Sequence, residues 1–343
     1  MIEYKNGNLL QADVEALVNT VNTVGVMGKG IALQFKQAFP DNFKAYSKAV
    51  EKNEVQPGKM FVYPTTQLTN PRFIINFPTK RHWRENARLE DIKSGLINLV
   101  DVIKKYEIRS IAIPPLGCGF GGLKWSEVQP LIEQSLKEIP DLKALIYPPI
   151  GSPSSEKMII ATQRPNLTKG RAALIYLLNL YAIPGYRLTK LEVQKLTYFL
   201  HVAGEPMKLE FEKQQYGPYA EKLNFLLQKL EGHYIRGYGD RSSKTGIWVL
   251  PGAEKEAEAF LQNEVDTLQH LDRVARLIHG FETPYGVELL ATLLWLSQEN
   301  PEIKSDFSKA VQGFSQWNDR KKEHFRPEHI KIAWDHLQNQ GWM

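Results

Sequence analysis

The sequence predicts two domains: an α/β domain over about the first 150 residues, its largely parallel or mixed sheet covered by helices on both faces, then a mainly α-helical domain. Three observations carry this. Short runs rich in Val, Ile, Phe and Tyr alternate with amphipathic stretches as far as Tyr147. The segment Pro148–Met158, PPIGSPSSEKM, interrupts that alternation with Pro, Gly and Ser and reads as a linker. Beyond it, helical periodicity dominates. At 343 residues the chain can bury two full cores without staples.

Strands are predicted at Ala16–Asn22, Met60–Thr65, Phe73–Phe77, Ser110–Pro114 and Ala144–Tyr147, each flanked by turn residues. Helices are predicted between them at Gly30–Phe39, Asn42–Val50, Leu89–Tyr106 and Ser126–Ile139. In the third, Ile92, Leu96, Leu99, Val100 and Ile103 recur at three- and four-residue spacing and mark one buried face. The boundary is expected near residue 153, which divides the chain into 1–153 and 154–343.

The second domain is expected to hold helices at Thr168–Ala182, Thr189–Ala203, Pro218–Glu231, Gly252–Gly280, Pro284–Gln298, Lys304–Trp317 and Pro327–Gln338. Val265, Leu268, Leu271, Val274 and Leu277/Ile278 fall on one stripe of the fourth. A short strand pair is expected around His233–Tyr238 and Ile247–Leu250. Arg320-Lys-Lys322 reads as a solvated turn.

Composition narrows the function classes. With 43% hydrophobic and 24% charged residues, wholesale disorder is excluded. The lone Cys118 excludes an intramolecular disulfide and a cysteine zinc cluster, and it fits a reducing, cytoplasmic setting. Glu3 and Asp13 interrupt the first apolar stretch, unlike a signal peptide. Ala172–Ile183 is too short to span a bilayer and contains Asn179, so no membrane partner is expected. The histidines of the second half are scattered without ligand spacing, and neither a metal nor a cofactor is expected. The net charge is +5, most of it in residues 1–152, which suits a phosphate-bearing or polyanionic ligand.

The chemistry concentrates in three turns, each directly after a predicted strand. Asn22-Thr-Val-Gly-Val-Met-Gly28-Lys29-Gly30 leads into a helix, and so does Leu116-Gly117-Cys118-Gly119-Phe120-Gly121-Gly122. Backbone N–H groups in such turns, with a helix N-terminus behind them, cradle anions, and in an open α/β sheet the ligand crevice lies beyond the carboxyl ends of the strands. One glycine turn is explained by backbone conformation alone. Two at one sheet edge suggest a ligand with more than one phosphate. Neither matches a nucleotide fingerprint. The third turn, Asn76-Phe-Pro-Thr79-Lys80-Arg81-His82-Trp83-Arg84, puts Lys80 at the same edge. Its basic residues interleaved with an aromatic suit single-stranded DNA, and equally a loop whose Trp83 packs on its own domain. Cys118 has no His beside it and reads as a loop residue.

Gly7-Asn-Leu-Leu, Ala16-Leu-Val-Asn-Thr-Val-Asn22 and Met27-Gly-Lys-Gly-Ile-Ala32 together resemble the macrodomain, the ADP-ribose-binding α/β module of three layers with a mixed sheet. Met27–Ala32, Thr79-Lys80-Arg81 and Leu116–Trp125 are similar to the branch that contains terminal ADP-ribose protein glycohydrolase and the bacterial DarG antitoxins. The resemblance covers about residues 1–150. It implies that Asn8 and Leu9 face the adenine, that Thr20, Val21 and Asn22 line the distal ribose, and that Gly30 and Ile31 offer backbone to the phosphates or that ribose. It implies that Thr79 is among the ADP-ribose-binding residues, that Gly117, Cys118, Gly119, Phe120 and Gly121 wrap the diphosphate, and that Lys80 is catalytic.

Two departures stand out: Asn8 occupies a position that is Asp in many macrodomains, and Gly121 one that is Asp in the protein glycohydrolase. The implied activity is cleavage of the N-glycosidic bond between ADP-ribose and thymidine in single-stranded DNA; His82, Trp83 and Arg84, read from their basic and aromatic interleaving, are then the candidate DNA contacts. The helical domain would then bind and neutralise the toxin DarT. A non-catalytic ADP-ribose reader and an enzyme acting on ADP-ribosylated proteins are the alternatives. Lys80 is expected to act either as an ammonium donating to the departing base or as a neutral amine attacking the anomeric carbon, its pKa lowered by burial or by Arg81 and Arg84.

Overall fold

A computed structural model describes residues 1–149, 153–241 and 246–343. The chain forms two compact units. The first holds Met1–Gln163 and residues 239–241, the second Arg164–Tyr238 and residues 246–343. Residues 150–152 of the expected linker lie outside the described residues. The unit boundary falls about ten residues after the expected one, because the chain beyond it still pairs with the first unit: Ala161 N–H donates to the Gln37 carbonyl at 2.8 Å.

In the first unit the elements run β1 (Ile2–Tyr4), β2 (Ala16–Asn22), α1 (Gly30–Ala38), α2 (Pro40–Glu51), β3 (Phe61–Pro64), β4 (Phe73–Lys80), α3 (Leu89–Lys105), β5 (Ser110–Ile113), α4 (Trp125–Leu136) and β6 (Lys143–Ile146). The sheet order is β1-β6-β5-β2-β4-β3, parallel throughout except for the antiparallel β3–β4 pair at one edge. Side-chain alternation divides the strands between two faces. Ala16 and Val18 of β2 and Ile75 and Phe77 of β4 pack with Ile92, Leu96, Leu99 and Ile103 of α3. Leu17 and Ile74 pack on the other face with Phe35 and Ala38 of α1. The expected three-layer mixed-sheet fold is what forms. β1 is absent from the sequence prediction because three residues are too few for periodicity to register. β4 runs three residues further than its apolar core, and that extension carries Lys80.

The second unit is built mainly of helices: α5 (Lys169–Tyr181), α6 (Lys190–Val202), α7 (Glu221–Leu230), α8 (Ala253–Leu261), α9 (Val265–Ile278), α10 (Pro284–Glu299), α11 (Phe307–Trp317), α12 (Asp319–His324) and α13 (Pro327–Asn339). A hairpin, β7 (Glu212–Gln214) with β8 (Gly217–Tyr219), and an antiparallel strand pair, β9 (Ile235–Arg236) with β10 (Trp248–Val249), accompany them, the latter where a strand pair was expected. α10 is buried nearly all round and forms the core helix.

Three expectations are corrected. The helix expected from Pro218 starts at Glu221, since Pro218 pairs with Lys213 in the hairpin and Ala220 is held by the Gln194 side chain at 2.9 Å. Gly252–Gly280 is two helices, with the Glu264 N–H bonded back to the Leu261 carbonyl at the break, and Val265 and Leu268 of the expected stripe are exposed. Arg320–Lys322 is no solvated turn. It lies in α12, where the fully buried Lys321 donates to Glu288 at 2.8 Å and to Thr292 at 2.9 Å. Sequence spacing cannot reveal a buried countercharge 33 residues away.

Candidate active site

The carboxyl ends of β2 and β4 define the site. Their residues pair in register from Ala16 with Phe73 to Val21 with Pro78, and a bulge then sets Asn22 opposite Lys80. A bulge re-aims the side chains beyond it, here turning the strand ends toward the loops that follow. Beneath them Asn19 donates to Asn76 at 3.0 Å and Asn76 to Asn42 of α2 at 2.7 Å, a buried amide ladder tying strand ends to helix.

Lys80 Nζ donates to two backbone carbonyls, Trp83 and Phe120, both at 3.0 Å. It thereby joins the turn after β4 to the glycine loop after β5. Its pKa is lowered from the ordinary lysine value, chiefly because burial strips solvent from the ammonium; Lys29 acts in the same direction and Glu85 against it. Lys29, rather than Arg81 or Arg84, is therefore the neighbouring cation that matters. Arg81 is committed to Asp91 through two bonds of 3.0 and 3.2 Å. Lys29 lies in the turn after β2, far from Lys80 along the chain, and only folding brings the two together.

The glycine loop is tightly built. A Cβ on Gly121 would lie 2.4 Å from the Gly117 carbonyl oxygen and 2.9 Å from Ala87 Cβ, so this backbone has no room for the Asp of the protein glycohydrolase. Cys118 Sγ sits 3.4 Å from the Leu116 carbonyl, and burial pushes the thiol up to about 11, which leaves it protonated and supports a loop role. Gly119 is exposed, and the Phe120 ring, also exposed, crosses to α1, where it lies 5.7 Å from Lys29 Nζ.

The first loop is organised by Asn22. Its Oδ1 accepts from Val24 N–H at 3.1 Å and Val26 N–H at 3.2 Å, and its Nδ2 donates to the Val26 carbonyl. The Tyr46 hydroxyl, buried on α2, donates to the Asn22 carbonyl. The Asn22 carboxamide thus shapes the loop. Tyr46 was invisible to sequence reasoning, as one of several apolar positions on α2. Thr20 is partly buried, while Val21 and Thr79 are buried. Thr79 Oγ1 lies 3.5 Å from the Val21 carbonyl.

Gly30 opens α1 with a left-handed φ of +56°, and its N–H donates to the Asp240 carbonyl at 2.8 Å within the first unit. Ile31 packs against the core cluster that contains Leu9. Asn8 caps the short turn Leu9–Gln11 by accepting from Leu10 N–H at 3.0 Å, and its Nδ2 donates to the Lys157 carbonyl at 3.3 Å. Its amide serves here as both acceptor and donor, which Asp cannot do. Leu9 is buried in the core. His82, Trp83 and Arg84 form the turn after Lys80, closed by Glu85 N–H on the His82 carbonyl at 3.1 Å.

Among the described residues no cluster of His, Cys, Asp and Glu could hold a metal ion, and no helix is long and apolar enough to cross a membrane.

The Macro domain family model matches residues 18–132. A DNA ADP-ribosyl glycohydrolase of Thermus aquaticus is 47% identical over 341 residues, covering 99% of this chain and 94% of that protein. Its namesake in Mycobacterium tuberculosis is 40% identical, covering 98% of this chain and 99% of that protein. A DNA ADP-ribosyl transferase-DNA ADP-ribosyl glycohydrolase fusion protein of Thermosipho africanus is 36% identical over 159 residues, 42% of this chain and 41% of that protein.

Proposed function

Because the chain belongs to the DNA ADP-ribosyl glycohydrolase family, with a macrodomain in its first unit, we propose that it removes ADP-ribose from thymidine in single-stranded DNA, with Lys80 as the catalytic residue. The observation that carries this reading is the environment of Lys80 Nζ: two carbonyl acceptors, partial burial and a lowered pKa at the ligand edge of the sheet. An amine that gives two N–H bonds to carbonyls has one tetrahedral direction left. In the neutral form that direction is the lone pair.

Lys80 then acts as nucleophile. A bond forms from Nζ to the anomeric carbon of the distal ribose while the bond to the thymine imide nitrogen breaks. The electron pair leaves on the base, where two carbonyls delocalise it, and the proton lost by Nζ neutralises the base. Water then displaces the lysine and releases ADP-ribose. Positive charge gathers at the anomeric carbon on the way, as in other glycoside cleavage, and the ligand's own diphosphate, wrapped by Gly117–Gly121, lies on hand to stabilise it. The space closed off at Gly121 supports a reaction that uses no carboxylate there.

The test is a single-stranded oligonucleotide ADP-ribosylated on thymine, incubated with wild type and Lys80→Ala and followed by mass. Release by wild type alone is expected. Equal release by both removes Lys80 from the chemistry, and no release with tight ADP-ribose binding makes the protein a reader. Borohydride should trap a reduced ribosyl adduct on Lys80; its absence at full turnover would leave Lys80 as a proton donor to the base.

The second unit we assign to binding and neutralising the DarT toxin in the cytoplasm. Two things support this: full-length relatives span both units, and the Thermosipho protein joins transferase to glycohydrolase in one chain. Full-length Lys80→Ala co-expressed with the toxin should still protect growth. Complete loss of protection would place neutralisation in the first unit's activity.

A further inference from the structure

Trp83 is the exposed tryptophan among the described residues, 45% accessible, whereas the other six are buried or partly so. It stands at the tip of the turn His82–Glu85, with the Arg84 guanidinium 4.5 Å from its ring centre and the His82 ring at 5.6 Å. Its carbonyl accepts the Lys80 ammonium. The turn thus holds the reactive amine by its backbone and presents an aromatic ring with a cation by its side chains, three residues apart in sequence. What sets this ring apart is its place beside Lys80, with a cation against it, and the π-face that an exposed indole offers to a planar partner. Lys29 and Arg84 add positive charge around the same edge, and among the described residues neither makes an ion pair with a carboxylate.

We infer that Trp83 is a stacking platform for the base next to the modified thymidine, with Arg84 on its phosphate, so that the site recognises a DNA strand and not a lone nucleoside. The inference rests on the activity proposed above. A nucleobase offers a π-face to an indole whatever its sequence, and a flanking phosphate offers the anion a guanidinium needs. Placement on the residue whose carbonyl holds the Lys80 amine couples the two: a base seated on the ring bears on the same residue that orients the amine.

The experiment compares ADP-ribosylated thymidine with the same nucleoside inside a short single-stranded oligonucleotide, in wild type, Trp83→Ala and Trp83→Phe. Trp83→Ala should lower kcat/KM on the oligonucleotide about tenfold more than on the nucleoside, mainly through KM, as expected for one stacked base. Trp83→Phe should recover much of it, and abasic flanks should make wild type resemble Trp83→Ala. Arg84→Gln should flatten the salt dependence of the oligonucleotide reaction and leave that of the nucleoside as it was. Equal losses on both substrates would make Trp83 a purely structural support for Lys80 and overturn the inference. So would an unchanged oligonucleotide reaction with weakened toxin capture, which would make the ring a protein contact. Wild type inert on both substrates would overturn the activity reading itself.

Discussion

Lys80 Nζ donates to the Phe120 carbonyl at 3.0 Å, and that bond joins the end of one sheet strand to the glycine loop that follows another. The amine is oriented by backbone, which no side-chain substitution at Phe120 removes. Its charge state is set chiefly by burial, with Lys29 and Glu85 adjusting it in opposite directions.

A pH profile tests that charge state. With a folded pKa lowered by burial and by Lys29, the free amine gains population as pH rises through that lowered value, so the rate should climb and then level off. Lys29→Met removes a repelling cation, raises the Lys80 pKa and moves the rising limb to higher pH. Glu85→Gln removes the opposing carboxylate and moves it to lower pH. If both substitutions move the limb the same way, Lys80 is not the titrating group.

The glycine loop separates two neighbouring glycines. Gly121→Ala forces a Cβ to 2.4 Å from the Gly117 oxygen and should destabilise the protein by about 1–3 kcal/mol and abolish ADP-ribose binding. Gly119→Ala meets nothing within 4 Å and should melt like wild type, so that any loss of ADP-ribose binding there reports the ligand and not the fold. Thermal melts and calorimetric titration with ADP-ribose check both.

Asn22 can be resolved as loop organiser or ligand group. Asn22→Asp keeps acceptors for the Val24 and Val26 N–H groups, and should hold the loop, while Asn22→Ala loses all three bonds and should cost about 1–3 kcal/mol. Two variants of equal stability would show that the loop stands without this side chain.

In the second unit, Lys195 is buried and donates to the Pro218 carbonyl at 2.6 Å; burial, reinforced by Lys321 and opposed by Glu288, pushes it down to about 7. Folding then releases a proton between about pH 7 and the unfolded lysine value of 10.5, so stability rises with pH across that window and the full cost of the buried charge is present below 7. Lys195→Met should raise the melting temperature more at pH 6 than at pH 10. Glu288→Gln leaves Lys321 and Arg320 uncompensated and should cost about 3–5 kcal/mol.

Most of the first unit was legible in the sequence. Strands such as Ala16–Asn22 and helices such as Leu89–Lys105 declare themselves by periodicity, which is a local property. The glycine turns were legible too, because chain order alone puts them after parallel strands; chain order also puts Lys80 at that edge, where by itself it reads as a solvated loop lysine, and its catalytic role was implied only by the resemblance to macrodomains. In the second unit periodicity predicts one helix through Gln262–Glu264 and a solvated Lys321, since the chain turn and the Glu288 countercharge have no periodic signature.

By itself, then, the sequence determined the α/β and helical halves, the loops at the sheet edge and the residue types placed there, for all of these follow from spacing along the chain. Tertiary structure alone decided that Lys80 answers to Lys29 and Glu85, that Tyr46 holds Asn22, and that Gly121 has no room for a side chain. Those relations depend on distances through space between residues far apart in sequence, and the charge and solvation of a site are set by such distances.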